Sequence, residues 1–188
     1  METNGLELAL GLNPTSLVDL GGLDWNMHMT YYTNESEVTK LTVDPYNYGG
    51  FATFLGTYRI EEGVSPTAIV GADYDANGNH IELGNENPDF RLSFRNSLSF
   101  GPLSLSFFID HKEGGHAINL ANLIYDLGAT TADYEENGSR TAVLGGGSTA
   151  PYVESTTYTA LRDLSLTYSL PGGLTEGYGL SNVQLGLA

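Results

Sequence analysis

Between Gly84 and Gly115, two segments alternate strictly on either side of the dipeptide Gly101-Pro102. Phe90, Leu92, Phe94, Leu98 and Phe100 share one parity, and Arg91, Ser93, Arg95, Ser97 and Ser99 the other. In the second segment Leu103, Leu105, Phe107 and Ile109 oppose Ser104, Ser106 and Asp110. Side chains of a strand point alternately to its two faces, so each segment is a strand with one apolar and one polar wall. Gly supplies positive φ at the first turn position and Pro the negative φ of the second, which suits a tight hairpin of the II′ type. Such a ribbon fits a sheet with water on one side and an oily phase on the other.

The same pattern recurs along the chain. Leu6 to Leu12 alternates, and Leu23 to Tyr32 sets Leu23, Trp25, Met27, Met29 and Tyr31 against Asp24, Asn26, His28, Thr30 and Tyr32. Leu164, Leu166, Tyr168 and Leu170 oppose Asp163, Ser165, Thr167 and Ser169; after a turn at Pro171 to Thr175, Val183, Leu185 and Leu187 oppose Asn182, Gln184 and Gly186. Val38 to Val43 could extend the second strand, Asp44 to Gly50 reads as loop, and shorter strands are expected at 57–60, 67–72 and 80–83. Leu120, Leu123, Ile124 and Leu127 have helical spacing, which predicts one short amphipathic helix ended by Gly128. Thr130 to Pro151, with its Gly145-Gly146-Gly147 run, reads as a mobile loop. The connections between the six principal strands alternate short, long, short, long, short. That sorting describes an up-and-down outer-membrane barrel, whereas Greek-key crossings do not sort loops by parity.

The 23 acidic residues against 7 Lys and Arg, a net charge of −16, argue against nucleic acid and against a basic surface for anionic lipid. No cysteine is present, so neither disulfides nor thiolate chemistry is available. No apolar run is long enough for a spanning helix, but a mean hydropathy near zero is equally the reading of a transmembrane barrel. The opening METNGLELALGL is acidic and already alternating by Leu6, so no secretory signal is expected there.

Several stretches resemble the SusC/RagA-type TonB-dependent outer-membrane receptors of Bacteroidetes-like bacteria. They are Gly22 to Leu41 with Trp25, Asn34, Val38 and Leu41; Arg59 to Gly63 (RIEEG); Gly84 to Gly115 with its Gly-Asn-x-x-Pro-Asp-Phe opening; Asn119; and Tyr158 to Pro171 with Leu161, Arg162, Leu164, Leu166, Tyr168 and Pro171. Ala160 departs from that pattern, which usually has Arg there. The resemblance implies an all-β, antiparallel up-and-down sheet: residues 1–188 as a partial segment of a large transmembrane β-barrel, with one short helix in a long loop. The plug, the TonB-contacting segment and the closing strand are expected to lie outside it, as for a truncated gene or a fragment. It also implies a non-enzymatic role in nutrient uptake across the cell outer membrane. Oligosaccharides or peptides would be the cargo, TonB the energy source, a SusD-like lipoprotein the partner and outer-membrane lipid the surroundings. On this reading Leu23, Trp25, Met27, Phe90, Phe94, Phe107 and Leu166 face lipid, and Asp24, His28, Arg91, Arg95, Asp110 and Gln184 line the lumen. The alternative is a soluble secreted lectin-like module in which the apolar parity is a core.

No catalytic, metal or cofactor site is expected. Asp73-Tyr-Asp75-Ala-Asn77-Gly78 copies half of a calcium loop, but Gly84 stands where the closing carboxylate belongs, so an acidic turn is the expectation. Asp110, His111 and His116 invite a metal reading, but the two histidines are five residues apart at a strand end near glycines, so loop polarity is the expectation. Glu61 and Glu62, as strand neighbours, point to opposite faces and make no glycosidase pair. The substrate-contacting residues are not fixed by the sequence. Tyr46, Tyr48, Phe51, Phe54, Tyr125 and Tyr152 in the long loops are candidates for stacking on sugars, against loop packing or interface anchoring.

Overall fold

The structure, a computed structural model, describes residues 1–136, 138–145 and 147–188. In chain order the strands are β1 (Glu2–Leu12), β2 (Leu23–Glu37), β3 (Tyr46–Tyr48), β4 (Thr57–Ile60), β5 (Ala68–Tyr74), β6 (His80–Asn85), β7 (Phe90–Phe100), β8 (Leu103–Glu113), β9 (His116–Ile118), β10 (Val153–Ser155), β11 (Tyr158–Ser169) and β12 (Gln184–Leu187). Helices α1 (Leu120–Leu127), α2 (Ala132–Glu135) and α3 (Ser139–Gly145) precede β10, and α4 (Gly172–Thr175) precedes β12. The chain divides into two compact units: unit 1 is Met1–Gly5, Thr33–Phe90 and Glu113–Thr157, and unit 2 is Leu6–Tyr32, Arg91–Lys112 and Tyr158–Ala188.

The six principal strands form one sheet in the order β1-β2-β7-β8-β11-β12, an up-and-down meander. This is a partial segment of a β-barrel. Register keeps like with like. Trp25 lies opposite Leu98 and Met29 opposite Phe94, while Asn26 lies opposite Ser97 and His28 opposite Arg95. Leu164 meets Phe107 and Ser165 meets Ser106, and Tyr168 meets Leu185. A one-residue slip would invert both walls, so the pattern itself fixes the pairing. Gly101 takes φ 55° in the β7–β8 turn, where a side chain would be strained.

Unit 2 has no second sheet over its apolar wall. Leu161, Leu164, Leu166, Leu103, Phe100, Leu185 and Leu187 are all exposed, Leu166 at 42%. A lectin-like sandwich requires these side chains to be its core, and within this unit they are not. Asn96 is the polar interruption of that wall: it is 1% exposed, faces Met27, and accepts a 3.1 Å hydrogen bond from the Trp25 indole.

Unit 1 holds the buried apolar side chains: Val38, Ala68, Ile69, Val70, Leu123 and Tyr152. They sit among the sheet β3-β4-β5-β6, the β9–β10 ribbon and α1. Three expectations are corrected. Thr130 to Pro151 is not an unstructured loop: it contains α2, α3 and a 3-10 turn at Ala150–Tyr152. Thr131 caps α2 by accepting from Tyr134 N at 3.2 Å, and Asp133 accepts from Thr141 N and Oγ1 at 3.1 and 2.9 Å; Gly146 of the glycine run lies outside the described residues. The stretch Asp44 to Gly50 contains β3, paired with β4, because positive φ at Gly49 and Gly50 turns the chain back. The last connection is longer than a turn at 171–175: α4 and a 3-10 turn, Glu176–Tyr178, fill it, and β12 starts at Gln184.

Candidate functional site

The polar wall of unit 2 carries Asp24, His28, Arg91, Arg95, Asp110 and Gln184, as the alternation requires. Two features were not legible in that alternation. Phe108 belongs to the polar wall, and the Arg95 guanidinium lies 4.9 Å above its ring, a cation–π contact. A bulge between Leu161 and Asp163 shifts the register of β11. It brings Arg162 onto the Tyr158 ring, 5.1 Å away. Asp110 accepts from the Tyr158 hydroxyl at 2.7 Å and from Arg162 Nε at 3.4 Å. The bulge thus assembles an Asp110–Tyr158–Arg162 cluster that strict alternation scatters.

In unit 1 the six aromatic candidates separate. Tyr152 is fully buried, whereas Phe51 is 84% exposed and Tyr46, Tyr48, Phe54 and Tyr125 are also exposed. Tyr48 and Tyr58 lie 5.5 Å apart at a 31° tilt, and the Tyr48 hydroxyl donates to Pro66 O at 2.8 Å. Burial, then the nearby Glu86 carboxylate, pushes the Tyr58 phenol up to about 12, so both phenols are neutral donors at pH 7. Unit 1 also carries a groove between Phe51, Leu55, Tyr58 and Ile118 and a polar cavity of about 460 Å³ between Glu35, Glu37, Ser65, Glu82, Asn85 and Asp89.

The acidic motif at 73–78 is a hairpin turn. Asp75 accepts from Asn77 N and Asn79 N, both at 2.8 Å, and these bonds hold its carboxyl below the usual range. Asp73 turns away to Ser148 Oγ at 2.5 Å and Thr149 N at 2.8 Å. Glu61 pairs with Arg59 at 2.5 Å, while Glu62 accepts from Leu41 N at 3.3 Å. His111 Nδ1 contacts Thr159 Oγ1 at 2.8 Å, and His116 lies in β9 opposite Ser155.

Helix α1 buries a different face from the one its apolar spacing suggests. Leu123 and Asp126 are buried, whereas Ile124 and Leu127 are exposed. Asp126 receives Arg140 Nε and Nη2 at 3.0 and 3.2 Å, the Tyr152 hydroxyl at 2.8 Å, and the Thr131 hydroxyl. The Arg140 bonds outweigh burial and hold its carboxyl down at about 2, while burial and this carboxylate push the Tyr152 phenol up to about 12. No sequence signal tied residues 126, 131, 140 and 152 together, because α1, the cap of α2, α3 and the 3-10 turn at Ala150–Tyr152 each supply one.

No family model matches the chain. Two relatives from Formosa agariphila do. TonB-dependent receptor P26 is 28% identical over 197 residues, covering 87% of this chain and 20% of its own length. TonB-dependent receptor P3 is 30% identical over 156 residues, covering 74% of this chain and 15% of its own length. The chain therefore spans a fifth or less of the relatives it matches, and its likeness to them supports a place among TonB-dependent receptors.

Proposed function

We propose that residues 1–188 are a barrel segment of a TonB-dependent outer-membrane transporter, with no catalytic role. The observation that carries this reading is the single-layer meander whose apolar wall stands exposed on β1, β11 and β12. An 11-residue strand such as β7, rising about 3.3 Å per residue and tilted by about 40°, climbs roughly 25 Å, the height of the apolar band of such barrels. Leu23, Trp25, Met27, Phe94, Phe107 and Leu166 then meet lipid, and the opposite wall lines a watery lumen.

The finer reading is a SusC/RagA-type importer of oligosaccharides or peptides, energised by TonB and working with a SusD-like lipoprotein. The quoted motifs and the exposed aromatic side chains of unit 1 support it. The test exploits the lack of cysteine in this chain. In the parent receptor, in a cysteine-free background, single cysteines at Leu164, Ser165, Leu166 and Thr167 are spin-labelled in outer-membrane vesicles. Oxygen should relax labels at Leu164 and Leu166 preferentially, and a water-soluble nickel complex those at Ser165 and Thr167. Equal access of the nickel complex to all four would sink the barrel reading. Copurification of a lipoprotein from the native membrane tests the partner.

A further inference from the structure

We infer that the polar wall of unit 2 carries an oxyanion-binding site centred on Arg91 and Arg95, suited to an oligosaccharide bearing carboxylate or sulfate groups. The inference rests on the transporter reading, because it takes this wall as the lumen. Its starting point is how charge is distributed. Unit 1 holds 17 of the 23 carboxylates and 3 of the 7 cations, whereas unit 2 holds 6 and 4. Within unit 2, Arg162 is neutralised by Asp110. Arg91 and Arg95 are exposed, and neither pairs with a carboxylate among the described residues. In a chain with three acids for every cation, a guanidinium left without one stands out.

On the β2 side, the cross-strand neighbours of the two arginines bring no carboxylate. His28 lies opposite Arg95 and Tyr32 opposite Arg91, and Tyr32 is 41% exposed. The Phe108 ring beneath Arg95 holds the guanidinium flat, which leaves its N–H edge available. Guanidinium forks match the two oxygens of a carboxylate or sulfate. Arg91 and Arg95 are four residues apart on one face of β7, about 13 Å by strand rise, a span that needs an extended ligand with more than one anionic group. The Tyr32 phenol opposite Arg91 offers a flat face for a sugar ring. The net charge of −16 gives such a ligand no long-range attraction, but at physiological salt fields fade beyond about 8 Å, so recognition here is local.

The test uses the full-length receptor in detergent micelles and two probes, a neutral and a polygalacturonate-derived oligosaccharide of equal length, with calorimetric titration at several salt concentrations. The uronate probe should bind more tightly than the neutral one and weaken with salt. R91Q/R95Q should lose about ten- to a hundredfold affinity for it while heat-modifiable mobility, the sign of a folded barrel, is unchanged. A sulfated probe separates the two oxyanions, and binding of either supports the site. Preference for the neutral probe, or unaltered uronate binding by R91Q/R95Q, overturns it. So does loss of folding in R91Q/R95Q that the charge-conserving R91K/R95K restores without probe binding, which would make the arginines partners of the receptor's own acids. Failure of the barrel reading appears separately, as lost oxygen–nickel alternation in the spin-label experiment.

Discussion

Phe107 and Ser106 are neighbours in β8 with opposite outlooks, so an arginine at each measures what the two walls face. Phe107 lies near the middle of the 11-residue strand, beside Leu164, with its ring edge-on to Phe94 at 6.4 Å and 67°. Losing that aromatic pair costs about 1 kcal/mol, and an arginine at the midplane of a lipid-facing strand costs about 2–4 kcal/mol more. Ser106 shares a 2.8 Å hydrogen bond with Ser165, worth about 1 kcal/mol, and an arginine there reaches water. The two substitutions should therefore differ by about 2–4 kcal/mol, a factor of roughly thirty to a thousand in the folding equilibrium. Leu103→Arg, at the strand's rim, should cost only about 0–1 kcal/mol beyond the lost contacts. The measurement is urea unfolding of the full-length receptor in lipid vesicles, read by electrophoretic mobility with and without boiling. The reasoning fails if Ser106→Arg costs as much as Phe107→Arg. It fails equally if Leu103→Arg and Phe107→Arg match, because a bilayer grades the cost with depth.

In unit 1, Arg140→Met leaves the buried Asp126 carboxylate without its cation. Arg140 is 30% exposed at its side chain, so the loss should fall near the low end for a broken buried pair, about 3 kcal/mol, seen as faster amide exchange in residues 120–152. Because Asp126 titrates lower in the fold than in the unfolded chain, its contribution is full above about pH 4 and disappears as pH falls through about 2; exchange corrected for intrinsic rates should rise over that window and, in D126N, should not. Gly71→Ala would place a Cβ 2.3 Å from Thr149 Cβ. Thr149 is pinned by Ala72 N at 2.9 Å and Phe54 O at 3.0 Å, so a cost of about 1–3 kcal/mol is expected, and limited proteolysis at wild-type rates would count against it. Asn119→Ala removes the cap on Asn122 N, at 3.0 Å, and a bond to Glu154; α1 should lose about 1 kcal/mol, checked by exchange at Leu123.

What the sequence made legible was whatever repeats with period two. All six strands of the main sheet and both walls follow from alternation, since each strand's face is written in its own residues. Phe108 and the Arg162 bulge escaped because each breaks the period locally, and only the neighbouring strand reveals which face the odd residue takes. Unit 1 was poorly legible for a different reason. Its buried residues include Thr57, Asp126 and Thr149, polar side chains whose partners lie far along the chain, so apolar periodicity pointed to Ile124 and Leu127, which are exposed. Tyr152 looked like its fellow loop tyrosines until its hydroxyl was seen on Asp126.

The two units consequently stand on different physical footings. Unit 1 buries Ile69, Val70, Leu123 and Tyr152 against its own chain, and its ion pair and caps act in place, so its order needs no outside phase. Unit 2 buries almost nothing: of its residues only Asn96 and Thr175 are buried. Its backbone bonds tie strands side by side, but the roughly 25 cal/mol per Å² that stabilises an ordinary sheet requires apolar area to leave water, and here the leucines of β1, β11 and β12 remain exposed. Removing that area from water by lipid would supply the missing term. The prediction that follows is a difference in kind: transferring the receptor from lipid to urea-free detergentless buffer should abolish protection in β8 and β11 while α1 and β5 keep theirs. Equal loss in both units would mean that the sheet draws its stability from contacts with protein instead.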